Sequence, residues 1–404
     1  MLDPSRVQVR GPLEDFAEGF VVELRAVGYR RVPVVFQLQL MAHASRWLEE
    51  EGLAAGALTS EVVERFMAAR RAAGYANHVS ARAMSPLVGY LRGLGVAPPA
   101  SSPTPVGAVE VLLADYREYL AIERGLTADT IEGYVPAVRS FLEGRDTGAN
   151  GLELSGLTVA DVIGFVVARC PIQSRGAAKL TVTALRSLLG FLHLRGMVGE
   201  SLVGAVPSTA AWRLSGLPRA LEPEQVDALL ASCDRQSSSG RRDFAILTML
   251  SRLGVRAGEV AALALEDVDW RAGELVIVGK GRRSERLPLP VDVGEAIVAY
   301  LQAGRPVTAQ DRCLFVRVRA PHHGLTTGGV TQVVVSAARR AGLGQIHAHR
   351  LRHSAATRML RAGAGLEEIG QVLRHREVLT TAIYAKVDRD ALRQLARPWP
   401  EARS

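Results

Sequence analysis

Lysine is almost absent from this chain: of 49 basic side chains only Lys179, Lys280 and Lys386 are lysines, and the other 46 are arginines. Such a bias follows coding composition, and it makes each surviving lysine conspicuous. Cysteine is scarce as well. Cys170, Cys233 and Cys313 lie far apart and odd in number, which excludes a disulfide framework or a CxxC metal motif and fits a reducing cytoplasm. No stretch reaches the roughly 18 apolar residues of a membrane span, and MLDPSRVQVRGPLEDF has no apolar export core. A soluble, cytoplasmic protein without a membrane partner is expected. The GxxxxGK[ST] phosphate loop is missing too, so chemistry driven by a P-loop nucleotide is not expected.

What remains is ample for packed domains. The 404 residues are 48% hydrophobic and 22% charged, which suits two or three folded units rather than a disordered chain. The net charge of +8 favours a polyanionic partner, although a merely basic soluble protein would carry it too. Residues 97–105, APPASSPTP, read as a linker, and a less clean break runs from Val206-Pro207-Ser208 to Leu217-Pro218-Arg219. Three segments result: 1–96, 106–212 and 219–404.

The first two segments look like copies of one helical unit. Each opens with an amphipathic helix, FAEGFVVELRAVG and LLADYREYLAIERG, and continues into a second ending at Trp47-Leu48 or Phe141-Leu142. Each then has a Leu-Thr helix start, Leu58-Thr59 and Leu157-Thr158, where threonine suits the N-cap. Both finish alike, in LVGYLRGLGV and LLGFLHLRGMV. Apolar stripes of this kind otherwise mean only a core-facing side. The third segment predicts helices near 222–233, 243–252 and 256–265, then a β-hairpin in GELVIVGKGRRSERLPLP. Further helices are predicted near 327–341, 350–362, 366–374 and 389–396. The expected fold is mainly α with one small sheet.

Chemistry concentrates in the third segment. In His349-Arg350-Leu351-Arg352-His353, His349 and Arg352 are three residues apart and share one helix face, able to hold an anion. Solvated charges on a basic helix are the plain alternative. Metal binding is another, since His347, His349 and His353 are close, but no Asp or Glu follows before Glu367, so a zinc ligand set is incomplete. Arg256, between Gly254 and Gly258 at a helix start, would add to an anion site, or pair with Glu259 one turn on. Farther along come His375 and Tyr384 in LRHREVLTTAIYAKVD.

Taken in order, GVRAGEVAAL, VGKGRRSERLPL, HRLRHSAAT and LRHREVLTTAIYAKVD resemble the four boxes of the phage-integrase family of tyrosine recombinases. The resemblance covers 219–404 and extends to 106–212, which is similar to the family's SAM-like core-DNA-binding domain. It implies that Tyr384 attacks the scissile phosphorus, giving a 3′-phosphotyrosyl bond and a free 5′-hydroxyl. Arg256, Arg352 and His375 would hold the non-bridging oxygens, where preorganised donors act most strongly. His349 would position the tyrosine or accept its proton, and Lys280 would protonate the leaving oxygen. A guanidinium serves poorly as a general acid, which gives a reason for lysine at 280 in so arginine-rich a chain. Neither metal nor cofactor is implied.

The resemblance further implies double-stranded DNA as partner, a nucleoid-associated location and a homotetramer on paired sites. Residues 387–404 would dock on a neighbouring protomer, and an accessory DNA-bending protein or partner recombinase would fit. Arg175, Lys179, Arg282, Arg283 and Arg374 are the expected DNA-backbone contacts. Position 374 commonly holds glycine in relatives, and position 386 commonly holds histidine. Many integrases begin with a small β-rich module, whereas 1–96 reads as helical. A type IB topoisomerase and a non-catalytic DNA-binding descendant stay open as alternatives. An extra N-terminal unit favours integration, excision or transposition of a mobile element over chromosome-dimer resolution.

Overall fold

Thr59 and Thr158 each start a helix by accepting a hydrogen bond from an N–H that the helix cannot pair itself, that of Val62 in one case and Asp161 in the other. Asp161 in turn accepts from the Thr158 N–H, completing a capping box. These helices are the third of four in each N-terminal segment of the computed structural model, which describes residues 4–99, 106–147, 151–207, 220–279, 284–374 and 381–387. The first segment holds α1 (Ala17–Ala26), α2 (Arg31–Glu50), α3 (Ser60–Ala72) and α4 (Ala81–Gly93). Phe20, Met41, Leu48, Phe66 and Leu91 meet in their core. The second holds α5 (Ala108–Ile122), α6 (Ala128–Glu143), α7 (Val159–Arg169) and α8 (Arg175–Leu194). Along α8, Ala178, Val182, Leu185, Leu189 and Leu192 recur at three or four residues, so one face is buried against Tyr116, Leu120 and Phe141. Burying each such side chain contributes roughly 1.5–3 kcal/mol before ordering entropy is set against it.

Two compact units divide the chain: residues 1–100 together with 214–404, and residues 101–213. Within the first, Gly28 lies against the 304–326 loop, where a β-carbon would come within 2.4 Å of His322 Nε2. All three cysteines are unpaired.

The C-terminal segment contains α9 (Pro223–Ala231), α10 (Ser238–Leu253), α11 (Ala257–Ala262), β1 (Val268–Asp269), β2 (Glu274–Val278), β3 (Ser284–Pro288), α12 (Val291–Ala303), α13 (Thr327–Arg340), α14 (Ala348–Arg361) and α15 (Leu366–Val372). A short 3-10 helix, Ala382–Val387, carries Tyr384. Ten of the sixteen residues of α10 are buried, because α12, α13 and α14 pack around it. The sheet is antiparallel in the order β1-β2-β3, with Val276 opposite Arg286. Its alternation turns Leu275, Ile277 and Leu287 into the core.

Two elements differ from the sequence reading. The hairpin gains a third, two-residue strand, and α12 occupies a stretch for which no helix was predicted. The buried positions of α12, Val293, Ala296, Ile297 and Tyr300, nevertheless follow helical spacing. The terminal helix expected near 389–396 lies outside the described residues.

Gly254 ends α10 in the left-handed region, at φ +62°. A β-carbon there would lie 2.6 Å from Leu373 Cδ2 and 3.3 Å from Ala355 Cβ, so the close approach of α10, α14 and the end of α15 requires glycine. That approach brings Arg352 of α14 against the Gly254 and Leu373 carbonyls.

Candidate active site

Arg352 leaves the buried face of α14 with 2% of its surface exposed. Its Nη1 donates to Gly254 O at 2.6 Å and its Nη2 to Leu373 O. Burial, and after it the Arg256 charge, push its pKa down to about 10, which still leaves it cationic at neutral pH. Two carbonyls therefore fix the orientation of a positive charge that has no carboxylate within salt-bridge distance among the described residues.

Arg256 stands at the N-cap of α11, half in solvent, its side chain 45% exposed. Its Nη1 donates to Glu259 Oε1 at 2.7 Å, its backbone N–H to Glu259 Oε2 at 2.7 Å, and its Nη2 to Arg374 O at 3.4 Å. The ion pair with Glu259 and a place beside a second arginine thus occur together. Glu259 is buried, which alone would raise its pKa. The Arg256 N–H and the Arg374 and Arg256 charges outweigh burial and hold it below the ordinary carboxylate value.

Tyr384 is 1% exposed and packs with Ala356, Ile369 and Leu373 in a small apolar cluster. Its hydroxyl lies 2.8 Å from His353 Nδ1. The His353 ring is edge-on to Tyr384, with centroids 5.7 Å apart, and edge-on to His349 at 4.4 Å. Burial raises the phenol to about 12, against a smaller opposing effect of the Arg352 charge. Burial, His349 and Arg352 push His353 down to about 4. At neutral pH this is a protonated phenol beside a neutral imidazole. With the imidazole proton on Nε2, Nδ1 accepts the tyrosine hydroxyl. His349 is itself exposed, and partial desolvation followed by the Arg352 and Arg256 charges lowers its pKa.

The structure brings Arg256, His349, Arg352 and Tyr384 into one region around α11, α14 and the 382–387 helix. Sequence reasoning gave the contact with the phenol to His349, but the imidazole bonded to it is His353, one turn farther along α14. The i, i+4 spacing of the two histidines was the available signal, and the metal alternative absorbed it. Lys280, Arg282, Arg283 and His375 lie outside the described residues. Arg175 and Lys179 are both exposed, one turn apart at the start of α8. Arg374, expected at a DNA phosphate, points inward: its side chain is 4% exposed and its Nη2 is 2.6 Å from Glu259 Oε2. Among the described residues, no three His, Cys, Asp or Glu side chains gather as a metal site.

Residues 219–390 match the phage integrase family, and 113–196 match the phage integrase N-terminal SAM-like domain. A Sinorhizobium fredii protein designated integrase/recombinase y4rA is 39% identical over 394 residues, spanning 96% of this chain and 95% of that one. The chain belongs to the phage integrase family. It is a tyrosine recombinase, an enzyme that cleaves and rejoins DNA in site-specific recombination. The tyrosine recombinase XerD of Listeria monocytogenes is 29% identical over 288 residues, 70% of this chain and 96% of its own. Two solved structures share the recombinase fold. XerH bound to palindromic difH aligns with TM-score 0.59 and 18% identity over 74% of this chain and 99% of that one. A lambda integrase tetramer on a Holliday junction aligns with TM-score 0.53 and 17% identity over 75% and 82%.

Proposed function

We propose that this recombinase integrates, excises or transposes a mobile element by attacking DNA with Tyr384. The observation that carries the reading is the Tyr384 hydroxyl, held 2.8 Å from a neutral imidazole in the same region as Arg256 and Arg352. As the phenolic oxygen bonds to phosphorus, its proton passes to His353 Nδ1, and the bond from phosphorus to the 5′ oxygen breaks. The ammonium of Lys280 supplies the proton that the leaving 5′ oxygen takes. Arg256 and Arg352, with His349 and His375, hold the non-bridging oxygens while charge builds on them. The phosphotyrosyl ester conserves the bond energy, so rejoining reverses the same steps.

The substrate in this reading is duplex DNA, and the working assembly is a tetramer on two sites. The XerH complex with difH and the lambda integrase tetramer on a Holliday junction support that reading through shared fold. Arg175 and Lys179 on the exposed start of α8 would meet the backbone, making binding strongly salt-dependent. Residues 387–404 would dock on a neighbouring protomer, and the N-terminal segment is read as a second helical DNA-binding unit. The relative designated integrase/recombinase supports a mobile-element task.

Covalent trapping tests the chemistry. The protein is incubated without metal or nucleotide with labelled DNA flanking its own gene, then quenched in SDS. Wild type should give a protein–DNA adduct and Tyr384→Phe none. An adduct of equal yield in Tyr384→Phe would overturn the assignment.

A further inference from the structure

Leu373 closes α15, donating its N–H to Ile369 O, and Arg374 then turns the chain at φ +56°. A β-carbon in that region crowds the backbone, so the residue just past a helix end is commonly glycine. Asparagine and aspartate visit it more readily than other residues with a side chain, because their short polar side chains hydrogen-bond locally. The Arg374 side chain is also withdrawn from water. Its Nη2 is 2.6 Å from Glu259 Oε2, its Nη1 donates to Val372 O at 3.2 Å, and its buried Nε has no partner among the described residues. An arginine that is both conformationally strained and desolvated needs compensating interactions, and among the described residues the ion pair with Glu259 is the charged one.

We propose that Arg374 is a positioning residue for Arg256, acting through Glu259. The inference rests on the reading of Arg256 as a ligand of the scissile phosphate. Glu259 carries one negative charge and Arg256 one positive charge, so alone the pair would attract a phosphate weakly. Arg374 neutralises Glu259 from the far side and leaves the Arg256 charge available. It also occupies Oε2, which Arg256 otherwise meets only through its backbone N–H. The guanidinium of Arg256 is thereby held through Nη1 alone on Oε1 instead of being drawn into a two-pronged grip on the carboxylate.

The backbone at this corner adds to the arrangement. Leu373 O accepts from Arg352, and the next carbonyl, Arg374 O, accepts from Arg256. Two successive carbonyls at a left-handed turn therefore orient both arginines before any phosphate arrives. This is preorganisation, which raises the rate of the chemical step more than the strength of DNA binding.

Arg374→Gly tests the proposal, because glycine relieves the turn while removing the charge. The probe is the flanking-DNA fragment on which the wild-type protein forms its adduct. The expected result is DNA affinity within about twofold and a single-turnover cleavage rate at saturating DNA at least about tenfold lower, measured at a temperature where the variant is folded. Arg374→Lys, which keeps the charge, should recover part of that loss. Adding Arg374→Gly to Arg256→Gln should slow cleavage no further than Arg256→Gln alone, since both act on one interaction. Wild-type cleavage in Arg374→Gly, or fully additive losses, would each overturn the proposal. Wild-type cleavage in Arg256→Gln would instead remove the phosphate assignment on which it rests.

Discussion

The helical unit of α5–α8 and the charged corner between α11, α14 and α15 treat arginine in opposite ways. In the helical unit the ion pairs Arg139–Glu110, Arg145–Asp161 and Arg195–Glu123 keep 28–47% of each side chain exposed. Its stability comes from an apolar core and capped helices, and exposed pairs of this kind add little. In the corner, Arg352 is 2% exposed, and Arg374 and Glu259 keep only 4% and 6% of their side chains in water. Burying charge is costly even when it is paired, and an apolar replacement is often no less stable. The α5–α8 core is built chiefly of apolar side chains, whereas this corner buries two arginines, as the chemistry proposed for it would require. The same corner encloses Tyr384 differently, among apolar side chains with its hydroxyl 2.8 Å from His353 Nδ1.

Three substitutions sharpen this contrast. Arg352→Gln should lower single-turnover cleavage by about 10²–10³-fold, the usual loss when a preorganised donor is removed. It should also lower the melting temperature, because a buried carbonyl of Gly254 or Leu373 loses its donor at a cost of about 1–3 kcal/mol. Arg139→Gln in the helical unit should leave both measurements nearly unchanged. Equal effects of the two changes on cleavage and melting would contradict the division drawn here.

His353→Gln is expected to have a smaller effect. Glutamine can accept a hydrogen bond from Tyr384 but cannot take its proton, so cleavage should fall by roughly 10²-fold while DNA binding holds. The pH dependence of folding gives an independent reading. The folded pKa of His353 is about 4, below the ordinary value near 6.5, so between these pH values the unfolded chain binds more protons. Wild-type stability should therefore fall as pH drops from about 6.5 toward 4, and His353→Gln should flatten part of that slope. Parallel melting curves for both proteins across this range would show that His353 is not held neutral.

Much of this corner was legible in the sequence because it rests on local spacing. The three-residue step from His349 to Arg352, the helix start at Arg256 and the alternation of β2 and β3 all depend on neighbours along the chain. The two strands pair antiparallel, as a hairpin must, with Val278 opposite Ser284. Helix α12 carried its signal in Val293, Ala296, Ile297 and Tyr300, but it follows the proline-punctuated RLPLP, where an alternating pattern dominated. What spacing could not show was set by tertiary contacts. Whether Tyr384 meets His349 or His353 depends on how residues 382–387 fold across α14, and the two imidazoles lie only one turn apart. Arg374 reads as a surface cation until the left-handed turn sends its side chain back to a carboxylate 115 residues earlier. The burial of Arg352 likewise depends on Gly254 admitting α14 and Leu373 so closely.

Identifying the linkage itself tests the central claim most directly. The wild-type adduct, formed on a nicked duplex that traps it, would be digested with protease and the DNA-bound peptide sequenced by mass spectrometry. The account predicts a peptide containing Tyr384, esterified through its phenolic oxygen to a 3′-phosphate, with a free 5′-hydroxyl on the released strand. Attachment to any other residue, or to a 5′-phosphate, would contradict it.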